Sequence, residues 1–293
     1  MKKVLSLFLL TAVLLLFASG LGSCNRTASS ESEKPLLVVS IAPLQYLFKH
    51  IAGDQIDIDV LVPRGANPET FEPTPSDIAR LHKALAYAGI GLLDFERSWA
   101  DRIASECPHL ATRMLFDGVE LMGERERPDP HIWMSPQNME VMAENACRFL
   151  CHIDWKNADR YRANCERLLQ RIAMTDDSLR VLLPEQPQHP VTFFSYHPTL
   201  SYFARDYGLR QIPIEADGKE PSVRSFGKLA RQAKANRACV IFVQPEFGAR
   251  PAQWLAQETG LPIETIDPLA ADWEQGLLHV ATLLKQHTAT AQP

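Results

Sequence analysis

The stretch Asp129-Pro130-His131-Ile132-Trp133-Met134-Ser135-Pro136 is predicted to form a stiff elbow between a strand and a helix. Ser135 is a favourable N-cap residue, and Pro136 fits the first turn of the helix that follows. The pair Asp129-Pro130 is typical of a turn that holds the chain extended into His131. In open α/β sheets, ligands bind in the crevice at the carboxyl ends of the strands. His131 is therefore a candidate ligand residue, although a loop histidine on its own more often only contacts backbone.

Upstream of the elbow, short apolar runs alternate with helical patterns. Strands are predicted at 36–41, 56–62, 85–90 and 113–116, and helices at 43–52, 75–84 and 93–107. Strands interleaved with helices pair in parallel through right-handed crossovers. The first half of the chain is therefore predicted to form an α/β lobe.

Downstream of the elbow, apolar residues repeat at helical spacing over 139–150 and again over about 158–183. The second helix would be roughly 39 Å long at 1.5 Å per residue, which is more than one small lobe needs. Two shorter helices broken near Asp176-Asp177 are the alternative. An unbroken helix of this length can run past two lobes and join them rigidly.

The alternation of strands and helices then resumes. Strands are predicted at 191–196, 210–214, 239–243 and 262–266, and helices at 200–207, 222–235, 250–259 and 272–286. The predicted fold class is α/β, with two lobes that each hold a four-stranded parallel sheet flanked by helices. The expected domains are an N-terminal lobe over 36–155, one long bridging helix over 156–184 and a C-terminal lobe over 185–293.

The first 23 residues carry the features of a lipoprotein signal peptide. Lys2-Lys3 precedes an apolar run too short for a comfortable membrane span, and Leu21-Gly22-Ser23-Cys24 resembles a lipobox. Residues 24–35 are polar and predict a flexible tether. The protein is therefore expected to be exported and anchored to a membrane by lipid on Cys24, in the periplasm or on the cell surface. A plain signal peptide with a chance cysteine is the alternative.

The net charge argues against nucleic-acid binding, and the number of cysteines argues against a framework of disulfides. Without residues 1–23, the chain has 28 basic and 35 acidic residues, a net charge of −7. A mildly acidic protein without a basic cluster is a poor nucleic-acid binder. Five cysteines remain after Cys24, and this odd number cannot pair completely within one chain. Most of them are interpreted as small buried apolar residues.

Four potential metal ligands follow predicted strands, two from each lobe: Glu69, His131, His197 and Asp267. Taken singly, each has a simpler explanation as a solvated loop acid or a capping histidine. Their shared position at the carboxyl ends of strands predicts that they converge in a cleft between the lobes. Two imidazoles and two carboxylates suit a borderline divalent ion such as Zn²⁺ or Mn²⁺.

Several motifs resemble those of the metal-binding substrate-binding proteins of bacterial zinc and manganese ABC importers, the solute-binding protein family 9 or cluster A-I. The resemblance covers most of residues 36–286 and rests on the segments 65–73, 129–133, 195–204, 218–222, 241–246 and 266–269. It implies two lobes bridged by a long helix, with a metal ion in the cleft and an ABC permease as partner. It also implies a monomeric protein that is not an enzyme.

The chain departs from this family in its first ligand loop. Asn67-Pro68-Glu69 stands where the family usually has Asp-Pro-His, and residues 121–128 contain no histidine where zinc members often have a His-rich loop. Water or Glu72 could replace Glu69 as a ligand. Glu72, Glu215 and Glu246 are further candidates for residues that support the ligands. Zinc is the expected ion, with manganese or iron as alternatives. A zinc-dependent hydrolase is less favoured, because the chain has no HExxH signature.

Overall fold

A computed structural model describes residues 34–183, 190–215 and 221–290. The predicted signal peptide, Cys24, nearly all of the tether and the Gly218-Lys219-Glu220 part of one motif lie outside these residues. Within them the structure confirms the predicted fold class, because strands and helices alternate to build two parallel four-stranded sheets.

The first sheet has the strand order β2-β1-β3-β4, all parallel. Its strands are β1 (Leu36–Val39), β2 (Asp57–Val60), β3 (Ala86–Gly89) and β4 (Ala111–Met114), and the helices between them are α1 (Ala42–Ala52), α2 (Pro75–Lys83) and α3 (Asp94–Glu106). Leu37, Val38 and Val39 are fully buried. Such a continuous apolar run is typical of a central parallel strand that is covered on both faces.

The fourth strand begins two residues earlier than predicted, because the prediction followed the apolar pair Leu115-Phe116. These residues still bond to the neighbouring strand: Leu115 N donates to Gly89 O at 2.9 Å and Phe116 N donates to Ile90 O at 3.2 Å. A shift of two residues leaves every side chain on its predicted face of the sheet.

A short antiparallel hairpin separates β4 from the elbow, where the sequence predicted that the fourth strand leads directly to His131. The hairpin is formed by β5 (Gly123–Glu124) and β6 (Arg127–Pro128). A 3-10 turn over Ile132–Met134 and the helix α4 (Pro136–Ile153) follow. Ser135 caps α4 as predicted, since its Oγ accepts a hydrogen bond from Asn138 N at 3.2 Å.

The long helix α5 (Ala158–Leu182) is continuous over 25 residues, so the alternative of a break near Asp176-Asp177 is wrong. Asp176 points away from the helix backbone. It accepts a hydrogen bond from Tyr207 Oη at 2.6 Å and pairs with Arg180 at 3.0 Å. These contacts satisfy the carboxylate without interrupting the backbone hydrogen bonds of the helix.

The second sheet has the strand order β10-β9-β7-β8, again all parallel. Its strands are β7 (Thr192–Ser195), β8 (Arg210–Pro213), β9 (Ile241–Val243) and β10 (Ile263–Thr265), and its helices are α6 (Ser201–Asp206), α7 (Val223–Ala235), α8 (Arg250–Thr259) and α9 (Trp273–Thr290). Among the described helices, none combines the length and the apolar character that a membrane crossing requires.

One apolar core runs through both sheets. It contains strand residues of the first sheet, the inner face of α5 and residues of the second sheet such as Phe193 and Phe242. Trp273 of α9 belongs to the same core, whereas Phe194 and Ile241 face a smaller core on the other side of the second sheet. Because one core supports both sheets, the loops that follow their strands are anchored to the same packed interior.

Candidate metal centre

The structure brings together three of the four predicted ligands. Glu69 Oε1 lies 3.4 Å from His197 Nε2 and 4.0 Å from His131 Nε2. One ligand atom from each residue lies within 4.8 Å of the other two. The two imidazole rings meet edge to face, with their centroids 5.1 Å apart. The Nε2 atoms of both histidines and the Oε1 atom of Glu69 thus surround one position. Glu69 and His131 come from the half with the first sheet, and His197 follows a strand of the second.

Asp129 orients the His131 ring. Its Oδ1 lies 2.7 Å from His131 Nδ1 and also accepts a hydrogen bond from His131 N at 2.9 Å. Because Asp129 engages Nδ1, the opposite ring nitrogen, Nε2, is directed towards Glu69. A carboxylate that fixes the tautomer of a ligand histidine in this way also makes the imidazole a stronger base.

Glu215 has the same relation to His197. Its Oε1 lies 2.6 Å from His197 Nδ1, and both side chains are buried. Gln244 Oε1 accepts a hydrogen bond from His197 N at 3.3 Å, and the Phe247 ring stacks on the imidazole with a centroid distance of 4.9 Å. The Nε2 atom of His197 is buried and has no hydrogen-bond partner among the described residues. A buried polar atom without a partner is costly, and a bound cation would satisfy it.

A local turn presents Glu69. Asn67 Oδ1 accepts a hydrogen bond from Glu69 N at 2.9 Å, and Asn67 O accepts from Thr70 N at 3.3 Å. This side-chain turn is a common use of asparagine in loops. The Glu69 side chain remains 32% exposed, in contrast to the buried imidazoles. The carboxylate therefore forms the solvent-facing side of the site.

The Asp267 carboxylate is not part of the three-residue group in the described structure. Its Oδ1 accepts a hydrogen bond from Leu269 N at 2.9 Å. The next two residues, Pro268 and Leu269, line a small cavity of about 20 Å³ together with both imidazoles. Asp267 thus lies in a loop that borders the site, with its carboxylate engaged in a turn.

The three glutamates predicted to support the ligands, Glu72, Glu215 and Glu246, lie at different distances from the site. Glu246 lines the same cavity as the imidazoles, and Glu215 bonds to His197 as described above. Glu72 is exposed to solvent two residues beyond the turn that holds Thr70. Of the three, only Glu215 makes a described hydrogen bond to one of the grouped residues.

Hydrogen bonds between the two halves of the molecule fix the elbow. Trp133 Nε1 donates to Pro268 O at 2.8 Å, and Trp273 Nε1 donates to Trp133 O at 2.6 Å. Tyr202 Oη donates to Asp129 O at 2.9 Å. The loop that carries His131 is therefore bonded to the second half directly beside the site.

The charges of the site favour a cation. Burial opposes protonation of His197, but the carboxylates of Glu215 and Glu69 outweigh it and raise the pKa of His197 to about 9. Burial raises the pKa of Glu69, and the contact with His197 more than reverses this, so the pKa of Glu69 is lowered. Burial and the nearby Asp267 charge raise the pKa of Glu246. A positive charge at His197 is thus stabilised by two acids, and a metal ion can replace that proton.

Sequence reasoning missed Asp129, Gln244 and Phe247 as parts of the site. The sequence predicts Asp129 only as a turn residue, although an aspartate two residues before a candidate ligand histidine is well placed to bond its ring. Gln244 lies within the motif segment 241–246, and Phe247 is the first residue after it. Their contacts with His197 depend on how β9 lies beside β7, which local sequence does not specify.

Two parallel sheets on a shared core, with a buried pair of imidazoles and a carboxylate between them, define a metal-binding protein of the solute-binding type. The family model described as "ZnuA: Zinc-uptake complex component A periplasmic" matches residues 37–288. The chain belongs to this family of metal-binding solute-binding proteins of ABC importers.

Individual relatives agree with this assignment. The high-affinity zinc uptake system protein ZnuA of Bacillus subtilis is 27% identical over 288 residues, which cover 92% of this chain and 89% of the relative. The manganese ABC transporter substrate-binding lipoprotein PsaA of Streptococcus pneumoniae is 26% identical over 94% of both chains. A crystal structure of ZnuA superposes with a TM-score of 0.82 at 35% identity, covering 87% of this chain and 99% of that chain. These relatives are components of transport systems.

Proposed function

We propose that the protein captures zinc and that Glu69, His131, His197 and Asp267 bind it. The observation that carries this proposal is the buried, unpartnered Nε2 of His197, which lies 3.4 Å from Glu69 Oε1. Two ligand atoms bound tetrahedrally at zinc distances are about 3.4 Å apart. The 4.0 Å separation of His131 Nε2 from Glu69 Oε1 would close slightly on binding. The spacing of these ligand atoms is therefore close to that which a bound zinc ion requires.

Asp267 is proposed as the fourth ligand because it lies two residues beyond the end of β10 and its loop borders the cavity. To bind, the carboxylate has to exchange its hydrogen bond with Leu269 N for the ion. Two neutral imidazoles and two carboxylates nearly neutralise a divalent ion, which suits a half-buried site. Without Asp267, the site would have three protein ligands and water.

Zinc is preferred over manganese on ligand chemistry. The Irving–Williams order favours zinc at most nitrogen and oxygen sites, and each of the two imidazoles is a good zinc ligand. Glu69 adds a hard oxygen, which moves the site towards manganese. The relatives named above include one zinc and one manganese protein. Manganese and iron therefore remain the alternative cargoes.

Competition titration of chelator-stripped protein with zinc and manganese tests this assignment. We expect one ion per chain, tighter binding of zinc, and large losses of zinc affinity for His131→Ala and His197→Ala. His279→Ala, which removes an exposed histidine of α9, is the matched control and should bind zinc like the wild type. Wild-type affinity in both site variants would overturn the assignment.

We also propose that the protein is a monomer that delivers its ion to an ABC permease from outside the cytoplasm, while lipid on Cys24 anchors it to a membrane. The ordered signal features that end at Cys24 support this location, and PsaA is itself named a lipoprotein. Mass spectrometry of the mature protein should find an N-terminal, lipid-modified Cys24. An unmodified terminus at any other residue would contradict the anchor and leave the metal assignment intact.

A further inference from the structure

Three of the five described cysteines meet at the interface between α4 and α5. Cys147 and Cys151 are one turn apart on α4, and Cys165 is on α5. Each thiol reaches a backbone carbonyl of the opposite helix: Cys147 Sγ lies 3.7 Å from Tyr161 O, Cys151 Sγ lies 3.6 Å from Ala158 O, and Cys165 Sγ lies 3.7 Å from Ala143 O. The three contacts follow one antiparallel register along the two helices.

These contacts require the two helices to approach closely, because a cysteine side chain extends only one atom beyond Cβ. Cys147 faces Tyr161 and Cys165 faces Ala143, so the two thiols occupy neighbouring turns of the same interface. Cys147 is 8% exposed and Cys165 is 5% exposed, so both sulfurs lie inside the interface. The interaction with Cys147 lowers the pKa of the Cys165 thiol, and the same interaction together with burial raises the pKa of Cys147. Cys165 is thus the better nucleophile of the pair.

The other described cysteines lie elsewhere in the fold. Cys107 follows α3 in the first lobe, and Cys239 contacts Thr288 Oγ1 of α9 at 3.9 Å. Cys151 is near Cys147, but two cysteines four residues apart on one helix are poorly placed for a disulfide. Of the two pairs that span the helices, Cys147 and Cys165 are the better placed. Cys147 faces Tyr161, one turn from Cys165, whereas Cys151 faces Ala158, two turns away.

We propose that Cys147 and Cys165 form a disulfide that ties α4 to α5. The two thiols lose two electrons and two protons to an external disulfide, either of a thiol-oxidising protein or of oxidised glutathione, which is reduced to two thiols. The Cys165 thiolate first attacks the external disulfide, which forms a mixed disulfide at Cys165 and releases one external thiol. Cys147 then gives up its proton and attacks the Cys165 sulfur, and the second external thiol leaves.

This disulfide would restrain α4, the helix that begins beside the metal centre. α4 starts directly after Ser135, four residues beyond His131, and α5 packs against it as the bridging helix. The crosslink closes a short loop of the chain, which favours the folded state by restricting the unfolded one. It requires no bound metal, so its test is independent of the proposed cargo.

Peptide mapping of the full chain tests the proposal. The purified protein is incubated with oxidised glutathione, alkylated and digested with trypsin without reduction. Cleavage after Arg148, Lys156, Arg162 and Arg167 places each of the three cysteines on its own peptide. We expect the peptide 163–167 to be linked to the peptide that ends at Arg148, and the link to disappear on reduction. The thermal unfolding midpoint should rise by on the order of 5 °C on oxidation.

Variants separate the crosslink from general effects of oxidation. Cys165→Ala should lose both the linked peptide and the gain in unfolding temperature, while Cys107→Ala and Cys151→Ala should keep both. Free Cys147 and Cys165 thiols after oxidation of the folded wild type would overturn the proposal, as would a link to Cys151. If Cys165→Ala fails to fold, the wild-type map alone decides between these outcomes.

Discussion

At the scale of single residues, Glu69 is the centre of the site, because its Oε1 faces the Nε2 atoms of both histidines. Glu69→Ala should weaken zinc binding by at least the roughly 10–100-fold that loss of a supporting residue costs at metal sites. Glu69→His should increase the preference for zinc over manganese, because it replaces a hard oxygen by an imidazole. Competition titration of both variants measures the ratio. An unchanged zinc affinity in Glu69→Ala would show that Glu69 is not a ligand.

His197 makes zinc binding depend on pH. Its pKa of about 9 means that the metal-free protein carries a proton there at pH 7, and zinc has to displace it. Apparent affinity should therefore rise roughly tenfold per pH unit between pH 7 and 9 and level off above the pKa. Calorimetry in buffers of different ionisation enthalpy should detect the released proton. A flat affinity profile from pH 7 to 9 would contradict this.

Glu215 supports that behaviour through its 2.6 Å contact with His197 Nδ1. Glu215→Gln keeps the size of the side chain but removes its charge, so the pKa of His197 should fall. Above pH 9, where no proton competes, zinc affinity should drop about 10–100-fold because the imidazole is a weaker base. The pH at which affinity levels off should move down in the same titrations. Glu264→Gln is a suitable control, since Glu264 pairs with His287 away from the site. If zinc affinity levels off at the same pH as in the wild type, Glu215 does not control the protonation of His197.

Residue types predicted the ligands better than they predicted the ligands' surroundings. Glu69, His131 and His197 were identified because each follows a strand, a rule that holds for the fold class as a whole. The rule says nothing about where a carboxylate points, so it does not predict the turn in which Asp267 accepts a hydrogen bond from Leu269 N. Nor did it show that Asp129 bonds the ring of His131.

At the scale of elements, Ser135 has two roles: it caps the N-terminus of α4, and it forms a hydrogen bond to the second half of the molecule. Its Oγ accepts from Asn138 N and donates to Asp206 of α6. Ser135→Ala should therefore lower the free energy of unfolding by about 1–2 kcal/mol. Ser222 caps α7 in the same way but is exposed, so Ser222→Ala should cost less. Urea unfolding of both metal-free variants measures the difference, and equal losses would show that the contact with Asp206 adds nothing.

Long elements with strong periodicity were predicted well, and short ones were not. The apolar spacing of α5 fixed both of its ends within one residue, because many buried positions contribute to the pattern. The hairpin of β5 and β6 has two residues per strand, too few to show any alternation. Its existence depends on tertiary contacts, such as the hydrogen bond that Met122 N donates to Tyr202 Oη.

At the scale of the whole molecule, the two sheets behave as parts of one body because their helices share a core. Arg171 of α5 makes two 2.9 Å bonds to Glu274 of α9, and Tyr46 of α1 donates a further hydrogen bond to the same carboxylate. This network lies beside the apolar contacts of α5 with α1 and α9. The sequence predicted a bridging helix but not these contacts, since they join residues more than 100 positions apart.

The shared core and the hydrogen bonds between the two halves predict that metal binding changes loops and does not move the sheets. Zinc should order the Glu69 loop and the turn at His197 without rotating the sheets, because the Trp133–Pro268 and Trp273–Trp133 hydrogen bonds already join the two halves beside the site. Small-angle scattering of stripped and zinc-loaded protein should give the same radius of gyration, while hydrogen exchange should slow at 65–73 and 195–199. Trp273→Phe removes one of these hydrogen bonds and should allow a measurable compaction on binding. A large compaction of the wild type would mean that the bridging helix acts as a hinge.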